Sequence, residues 1–254
     1  MSGKRTSFSL FVLSSVAVLS GCATKIAGLK QSPTFTHQAI TSGKIAVGGV
    51  VSATAILDEG RSTTYSNLMR TQLLEERKDY NVAPVGVLVN KVGRAGYQAL
   101  AAEMQSTGTL SDASVALLKR KMPDTRYVAF ARIEHDEVNH NRNESSQTDK
   151  NGQVVPGSER VTASSERQVS ASLHIYDLKA GDVAFTGTVS KSASDSRSYE
   201  KEKDLALVSV IKAIKGDETT HGEDQKYPFP PAPDTTKVLA KIFAGFGENL
   251  PEKN

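Results

Sequence analysis

The stretch VSASLHIYDLKAGDVAFTGTVS, residues 169–190, carries the clearest periodicity in the chain. Apolar and polar side chains alternate along its first half and again along its second half. Such alternation is typical of β-strands that bury one face. Between the two halves lies DLKAGD, in which Gly181 can adopt the positive φ of a tight turn. The stretch therefore predicts a β-hairpin with one face on a hydrophobic core.

Further strands and helices are predicted upstream of the hairpin. The candidate strands are three apolar runs, KIAVGGVVS (44–52), NVAPVGVLV (81–89) and RYVAFARIE (126–134). Apolar residues at helical spacing predict helices over three intervening segments, 62–77, 97–104 and 110–121. This order of elements predicts an α/β (α+β) fold: a mixed β-sheet with a long β-hairpin, packed by two to four helices.

The remaining chain predicts a domain followed by a linker and a docking helix. We expect the α/β domain over 44–215, with a further helix at its end over 201–215. Residues 216–236 are polar and proline-rich, which predicts a linker that cannot bury a core. Residues 237–254 show apolar residues at helical spacing and predict a C-terminal helix. Because a free helix this short is marginal in water, we expect it to dock on the sheet.

An almost entirely polar segment, residues 136–167, links two predicted strands. An unstructured connection of this length is uncommon inside a compact domain. Two interpretations remain open: an extended polar β-hairpin that meets a partner, and a floppy insertion. A membrane-inserted hairpin does not fit, because it needs alternating apolar residues over ~9–11 positions.

The amino terminus predicts export. Lys4 and Arg5 precede an apolar run over 8–19, which is shorter than the ~20 residues that a transmembrane helix needs. This arrangement predicts a signal peptide over 1–21. The sequence that closes it resembles the lipobox of bacterial lipoproteins. By that resemblance, signal peptidase recognises Leu19, Ser20 and Gly21, and Cys22 becomes the lipidated first residue of the mature chain.

Lipidation at Cys22 would fix the protein to a membrane. Cys22 is the only cysteine, so no thiol would remain for a disulfide, a nucleophile or a metal site. Diacylglycerol on sulfur and an acyl chain such as palmitate on the amine exceed the two chains that stable anchoring needs. By the same resemblance to bacterial lipoproteins of the enteric type, Ala23 rather than aspartate after the cysteine implies the outer membrane and a domain that faces the periplasm. Residues 22–43 predict a flexible tether with a reach of ~25 Å.

Charge gives no indication of a nucleic-acid partner. Lys4 and Arg5 are two of the 31 basic residues, whereas none of the 28 acidic residues lies within 1–21. The mature chain would therefore be close to neutral. Because nucleic-acid binding calls for a basic face, we expect no nucleic acid among the partners.

The sequence offers no convincing catalytic, cofactor or metal site. The segment HDEVNH brings His135, Asp136, Glu137 and His140 close together. On a strand, residues 135 and 137 share one face while residue 140 lies on the other, so the set does not converge on a metal. No nucleophile, base and orienting group can be assembled from neighbouring positions. We therefore expect a protein that is not an enzyme and holds no cofactor.

Two glycine pairs and one histidine have structural interpretations. Gly48 and Gly49 lack the lysine of a phosphate loop, so they predict close backbone packing. Gly93 and Gly96 open a helix, where packing or flexibility explains them better than an anion site. His174 has the outward register of its strand and is expected at the surface or between layers.

Taken together, the lipobox, the strands over 44–52, 81–89 and 126–134, their helices and the IYDLKAG hairpin resemble a family of envelope lipoproteins. Its members include the curli secretion pore lipoprotein, the lipoprotein activators of penicillin-binding proteins and the amino-terminal domain of the Tol-Pal propeller protein. The resemblance covers roughly 44–190 and implies an anticodon-binding-domain-like fold. Only the lipobox cysteine carries over as a functional residue.

The chain departs from the specific functions of that family. The connection over 52–61 is too short for a transmembrane hairpin of the curli pore type, and the tether is short for a synthase activator. We therefore expect a periplasm-facing outer-membrane lipoprotein that acts as a protein-binding or assembly module in envelope biogenesis or secretion. The alternative is a subunit of an oligomeric outer-membrane secretion or transport complex. Envelope proteins, or further copies of the chain, would be the partners.

Overall fold

The structure is a computed structural model that describes residues 24–201 and 226–253. These ranges hold six strands and six helices. In chain order they are β1 (Ala27–Gln31), α1 (His37–Ser42), β2 (Ile45–Ser52), α2 (Glu59–Glu76), β3 (Val82–Ala83), α3 (Val85–Val92), α4 (Arg94–Thr107), α5 (Asp112–Lys121), β4 (Tyr127–Ser145), β5 (Arg160–Asp177), β6 (Asp182–Glu200) and α6 (Thr235–Glu248). None of the helices in these ranges has the length and apolar character needed to cross a membrane.

The strands form one mixed sheet in the order β1-β6-β5-β4-β2-β3. β2 runs parallel to β3 and to β4, and the remaining pairs are antiparallel. β5 and β6 form the predicted hairpin, and Gly181 closes its turn with a φ of 86°. The mixed α/β sheet with a long hairpin is therefore confirmed.

Helices cover both faces of the sheet. On one side, which we call the α2/α6 face, apolar side chains of β2, β4 and β5 form a core with α2 and α6. On the other, the α3–α5 face, a smaller core joins β2, β4 and the start of the β5–β6 turn to α3, α4 and α5. Helices therefore pack on both faces of the sheet, as the predicted fold class requires.

Gly48 and Gly49 allow side chains of neighbouring elements to pack directly against the backbone of β2. A Cβ atom on Gly48 would lie 2.5 Å from Cδ2 of Phe130, which is closer than side chains tolerate. Gly49 has a φ of 139°, and the register of β2 against β4 shifts beside it. The close-packing interpretation of this glycine pair is confirmed.

The segment over 81–89 does not form the predicted strand. Only Val82 and Ala83 pair with β2, and α3 begins directly after Pro84. Proline suits the entry to a helix, because its fixed φ fits there and its missing N–H is not needed. A short apolar run such as VGVLV cannot distinguish a buried strand from a buried helix, and here the helix forms.

Part of the expected tether over 22–43 is folded onto the domain. β1 pairs with β6, and α1 packs through Ile40, which is completely buried. Phe35 is also buried and meets the ring of Tyr127 edge-on at 5.2 Å. These two apolar side chains are isolated in a polar sequence and give no helical or strand period, yet they fix the segment to the core. The expectation of a flexible tether is corrected for residues 24–43.

A C-terminal helix, α6, lies over Thr235–Glu248, whereas the helical segment was expected over 237–254 and the linker over 216–236. α6 buries Leu239, Ile242 and Phe243 completely against the sheet and α2. From residue 226 the expected linker lies on the sheet, and Tyr227 is buried there. The predicted helix over 201–215 falls, apart from residue 201, outside the described residues.

Candidate functional site

Three strands extend together beyond the body of the sheet. β2 accompanies β4 only as far as Ile133, and β1 accompanies β6 only as far as Thr188. Beyond these points β4, β5 and β6 continue in register to the level of Ser145, Arg160 and Glu200. We call this extension, residues 134–145, 160–170 and 190–200, the arm. At ~3.3 Å per residue its length is ~35 Å. Residues 136–145 and 160–167 of the polar segment therefore pair as an extended hairpin rather than forming an unstructured insertion, and β6 adds a third strand.

A β-bulge in β4 decides which side chains lie on which face of the arm. The pairing of β4 with β5 shifts between Ile133 and His135, so Glu134 is an extra residue. Glu134 accepts a hydrogen bond from Ser172 Oγ at 2.6 Å and pairs with Arg132. After the bulge, even-numbered residues of β4 lie on the α2/α6 face, where odd-numbered residues lay before it. The bulge therefore places Asp136, rather than His135, on that face.

A proline-rich segment, residues 226–234, lies along the α2/α6 face of the arm. We call it the strap. Side chains of the arm donate hydrogen bonds to its carbonyl oxygens: Arg142 to Tyr227 at 3.0 Å, Tyr199 to Pro228 at 2.7 Å, Ser165 to Pro230 at 2.6 Å and Arg167 to Pro233 at 2.7 Å. Beneath the strap Ala163 and Ser165 are completely buried. The strap therefore gives this polar extension a small core of its own.

Aromatic contacts fix the position of the strap along the arm. The ring of Phe229 lies 4.7 Å from the ring of His140, and the guanidinium carbon of Arg142 lies 4.0 Å from the centre of the Phe229 ring. His140 also shares a hydrogen bond with Ser165 at 2.8 Å. A cation over an aromatic ring is attracted to it, and the attraction strengthens with desolvation. Phe229 is therefore held on two sides by side chains of the arm.

A charged network ties the base of the arm to the strap and to α6. Arg167 Nη1 donates to Asp136 Oδ1 at 2.6 Å and to Thr235 Oγ1 at 2.8 Å. Thr235 Oγ1 in turn donates to Asp136 Oδ2 at 3.0 Å. The side chains of Arg167 and Asp136 are only 21% and 23% exposed. The network therefore joins β4, β5 and the first residue of α6 in a largely dry environment.

The opposite face of the arm carries short polar side chains and is open to solvent. Its three strands present Asn139, Asn141 and Asn143 from β4, Thr162, Ser164, Glu166 and Gln168 from β5, and Ser190, Ser192, Ser194, Ser196 and Ser198 from β6. A shallow hollow at the arm's base is lined by residues that include His135, Glu137 and Gln168. We call this surface the bare face.

Both outer strands of the arm have an unpaired edge among the described residues. β4 beyond Ile133 and β6 beyond Thr188 each pair with β5 alone. Their outward N–H and C=O groups can therefore accept a further strand. Charged side chains such as Glu137, Arg142 and Arg197 lie along these edges, which disfavours indiscriminate pairing.

The predicted site residues are dispersed. Leu19, Ser20, Gly21 and Cys22 lie outside the described residues. His135 and Glu137 share the bare face while His140 lies under the strap, as the strand register predicted. Within the described ranges, no group of three or more His, Cys, Asp or Glu side chains is placed to hold a metal.

His174 lies half-buried between layers, as expected. Its ring stacks beside that of Tyr176 at 6.5 Å, and its Nδ1 lies 3.4 Å from Thr186 Oγ1. Burial lowers the pKa of His174 below its usual value, although the nearby carboxylate of Glu134 acts in the opposite direction. These contacts give His174 a packing role.

A cavity of about 300 Å³ lies outside the carboxyl end of β2. Its walls include Val51, Val89 and Ala101, and Tyr97 contributes a phenol. Arg94 and Glu59 form an exposed ion pair among its lining residues. In open α/β sheets, ligands bind where strand connections diverge to opposite faces, and β2 ends at such a point. The lining mixes apolar side chains with polar ones such as Ser62, Gln98 and Gln105.

The sequence did not reveal the arm residues that bind the strap. Arg142, Arg167 and Tyr199 sit in polar strands that show no apolar period, so nothing marked one face as covered. The available signal was in the strap, since YPFPPAP places aromatic rings between prolines in an otherwise polar stretch. That pattern is typical of extended segments that dock on a surface.

The comparisons with known proteins concern the fold. No protein-family model and no curated protein matches the sequence. Similar solved structures include the PelC dodecamer from Paraburkholderia phytofirmans, with 12% identity over 85% of this chain and 94% of that chain and a TM-score of 0.35. Lipoprotein GNA1162 from Neisseria meningitidis has 17% identity over 68% of this chain and 94% of that chain, with a TM-score of 0.32. The LpoB C-terminal domain from Salmonella enterica has 11% identity over 62% of this chain and 88% of that chain, with a TM-score of 0.35. These likenesses carry no activity, partner or assembly over to this chain.

Proposed function

We propose that this protein is a non-enzymatic binding module of the cell envelope that recognises a partner protein through its arm. The observation that carries the proposal is the three-stranded extension with two unpaired edges and one bare face. Residues that serve only the stability of the body would not need to extend ~35 Å beyond it. The length, strand pairing and exposure of the arm support a role in recognition.

Strand addition is the recognition mode that the arm supports best. An extended peptide that joins a sheet edge gains main-chain hydrogen bonds, while side chains on alternate positions give specificity. The bare face adds hydroxyl and amide groups from the serine row of β6 and the asparagine row of β4. Large aromatic anchors, which dominate tight interfaces, are not part of this face. We therefore expect a partner that pairs with an edge and binds reversibly.

The proposed location rests on the lipobox at 19–22. With Cys22 acylated, the protein would be anchored in the outer membrane and face the periplasm, where envelope partners are present. Thr24 is already docked: its N–H donates to Glu248 Oε2 at 3.0 Å, and its carbonyl oxygen accepts from Asn249 Nδ2 at 2.9 Å. Only Ala23 would separate the lipid from this docked residue. The domain would then lie against the membrane rather than on a long tether.

Site-specific photo-crosslinking in intact cells tests the proposal. A photoreactive residue at Asn141 on β4 or at Ser194 on β6 should give a discrete adduct with another envelope protein. The same residue at Gln38, which is exposed on α1 far along the sequence from the arm, serves as the matched control. Adducts that are equally strong at all three positions, or absent from both arm positions, would contradict recognition through the arm.

The same edges favour one alternative, the oligomeric subunit. An unpaired edge on β4 and another on β6 could join copies of the chain edge to edge. Mass photometry of the detergent-extracted protein separates the two proposals. A discrete multiple of the protomer mass would favour the assembly, and a monomer that still gives the arm adducts would favour the binding module.

A further inference from the structure

The main chain of the strap is held by hydrogen bonds from arm side chains. The four hydrogen bonds from Arg142, Tyr199, Ser165 and Arg167 all end on its carbonyl oxygens. Proline-rich segments suit this kind of binding, because they form no internal hydrogen bonds and leave their carbonyl oxygens exposed. The arm therefore recognises a backbone that many proline-rich sequences share.

At Phe229 the arm contacts a side chain of the strap as well as its main chain. Phe229 lies between the ring of His140 and the guanidinium of Arg142, and the neighbouring rings of Tyr227 and Tyr199 are 5.9 Å apart. Any peptide with an aromatic residue between two prolines could place its ring in this pocket. The groove thus selects an aromatic residue within a proline-rich stretch.

The main-chain frame of the groove does not depend on the strap. The arm strands pair with one another along their whole length, and the strap covers side chains on one face of them. A displaced strap would uncover the groups that now bond its carbonyl oxygens, together with Ala163 and Ser165 beneath it. A peptide of the same chemistry can satisfy those groups.

Displacement of the strap would leave the packing of the body in place. The strap hydrogen bonds named above are made with the arm. The helix that follows the strap, α6, is held separately, because Leu239, Ile242 and Phe243 are buried in the core of the body.

We propose that the α2/α6 face of the arm is a binding groove for a proline-rich peptide of a partner protein, and that the strap occupies this groove in cis. The partner segment carries an aromatic residue between prolines, as the strap does at Phe229. Since a tethered ligand acts at an effective concentration on the order of mM, the strap suppresses weak ligands and yields to a better one. This inference concerns the face opposite the bare face and holds whether or not the arm edges bind a strand.

Fluorescence anisotropy with the full chain in detergent tests the groove. The probe is a labelled peptide with the strap sequence KYPFPPAPDT, residues 226–235. Wild-type protein should bind it weakly, because its own strap competes. A chain with Tyr227→Ala and Phe229→Ala, two substitutions within the strap, should bind at least tenfold more tightly. Adding Arg142→Ala to that chain should remove the gain, and so should a probe whose phenylalanine is replaced by alanine.

Hydroxyl-radical footprinting gives a second measurement on unmodified protein, should the loosened chain fail to fold. Tyr227 is buried against the arm, so saturating isotope-labelled peptide should increase oxidation of the protein's own Tyr227 and leave the buried Phe243 of α6 unchanged. The proposal is overturned if the folded, loosened chain binds no better than wild type, or if mM peptide leaves oxidation of Tyr227 unaltered. The strap would then have a structural role only. Neither result bears on the edge adducts, so the two proposals fail separately.

Discussion

Replacing Arg167 with alanine should destabilise the protein by ~2–3 kcal/mol. The side chain donates to Asp136 Oδ1, Thr235 Oγ1 and Pro233 O, so its removal breaks three links between the arm, the strap and α6. A hydrogen bond to a charged group contributes about 1.5–3 kcal/mol. The sum is discounted because such contributions are not additive and because the pair is about one-fifth exposed, so water screens it and replaces part of the loss.

Asp136→Ala should cost less, at ~1–2 kcal/mol. Arg167 keeps its bond to the Pro233 carbonyl and can still reach water, whereas Thr235 loses one acceptor. Because the two residues bond directly, the double variant should be less destabilised than the sum of the single variants. For residues in one network, a coupling free energy of ~1–1.5 kcal/mol is the expected size.

Urea unfolding of the four proteins, followed by circular dichroism, measures this cycle. A loss of 2–3 kcal/mol corresponds to a fall in Tm of ~5–10 °C for a chain of this size, which thermal scans can check. Arg61→Ala is the matched control, because Arg61 pairs with Asp58 at 3.5 Å and both side chains are largely exposed. It should change stability little. Additive single-variant effects, with no coupling between Arg167 and Asp136, would refute the network.

Two further predictions concern the body of the domain. Gly48→Ala should destabilise by ~1–3 kcal/mol, because its methyl group would collide with the Phe130 ring; Gly86→Ala, which has open space around it in α3, should be neutral or stabilising in the same urea titration. His174→Gln should reduce the loss in the free energy of unfolding that occurs as pH falls. Burial holds the pKa of His174 below 6.5, so the unfolded chain takes up the proton first and stability is lost as pH falls below ~6.5. Urea midpoints at pH 7.5 and 5.5 should therefore differ less in this variant than in wild type, and an unchanged difference would count against the assigned burial.

The hairpin could be predicted because one of its faces is apolar and the other is not. Val169 to Ile175 alternate with polar residues, and the core selects that register. In the arm the same strands continue with polar residues on both faces, so the period disappears although the hydrogen-bond ladder does not. Main-chain hydrogen bonds between strands require no particular side-chain pattern. The polar segment was therefore equally compatible with a hairpin and with a floppy insertion.

The covered face of the arm could not be predicted for a related reason. Its cover is the strap, which is more than 60 residues away along the chain from Arg142 and Ser165. A single sequence shows periodicity within a segment and does not show which distant segment lies on it. The burial of Phe35 and Ile40 in the expected tether could not be predicted for the same reason, because it depends on strands that lie far downstream in the chain.

The docking of the amino-terminal segment changes how the protein would reach a partner. A free tether over 22–43 would have let the whole domain move ~25 Å from its anchor. With Thr24 bonded to Glu248, Asn249 and Lys191, a lipid on Cys22 could lie no more than two residues, or ~7 Å, from the body. Lys191 lies at the base of β6, so that anchor would sit where the arm begins. Reach would then come from the ~35 Å of the arm rather than from a flexible leader. Because the arm strands are already paired with one another, fewer residues would need to be ordered on binding than in a tether.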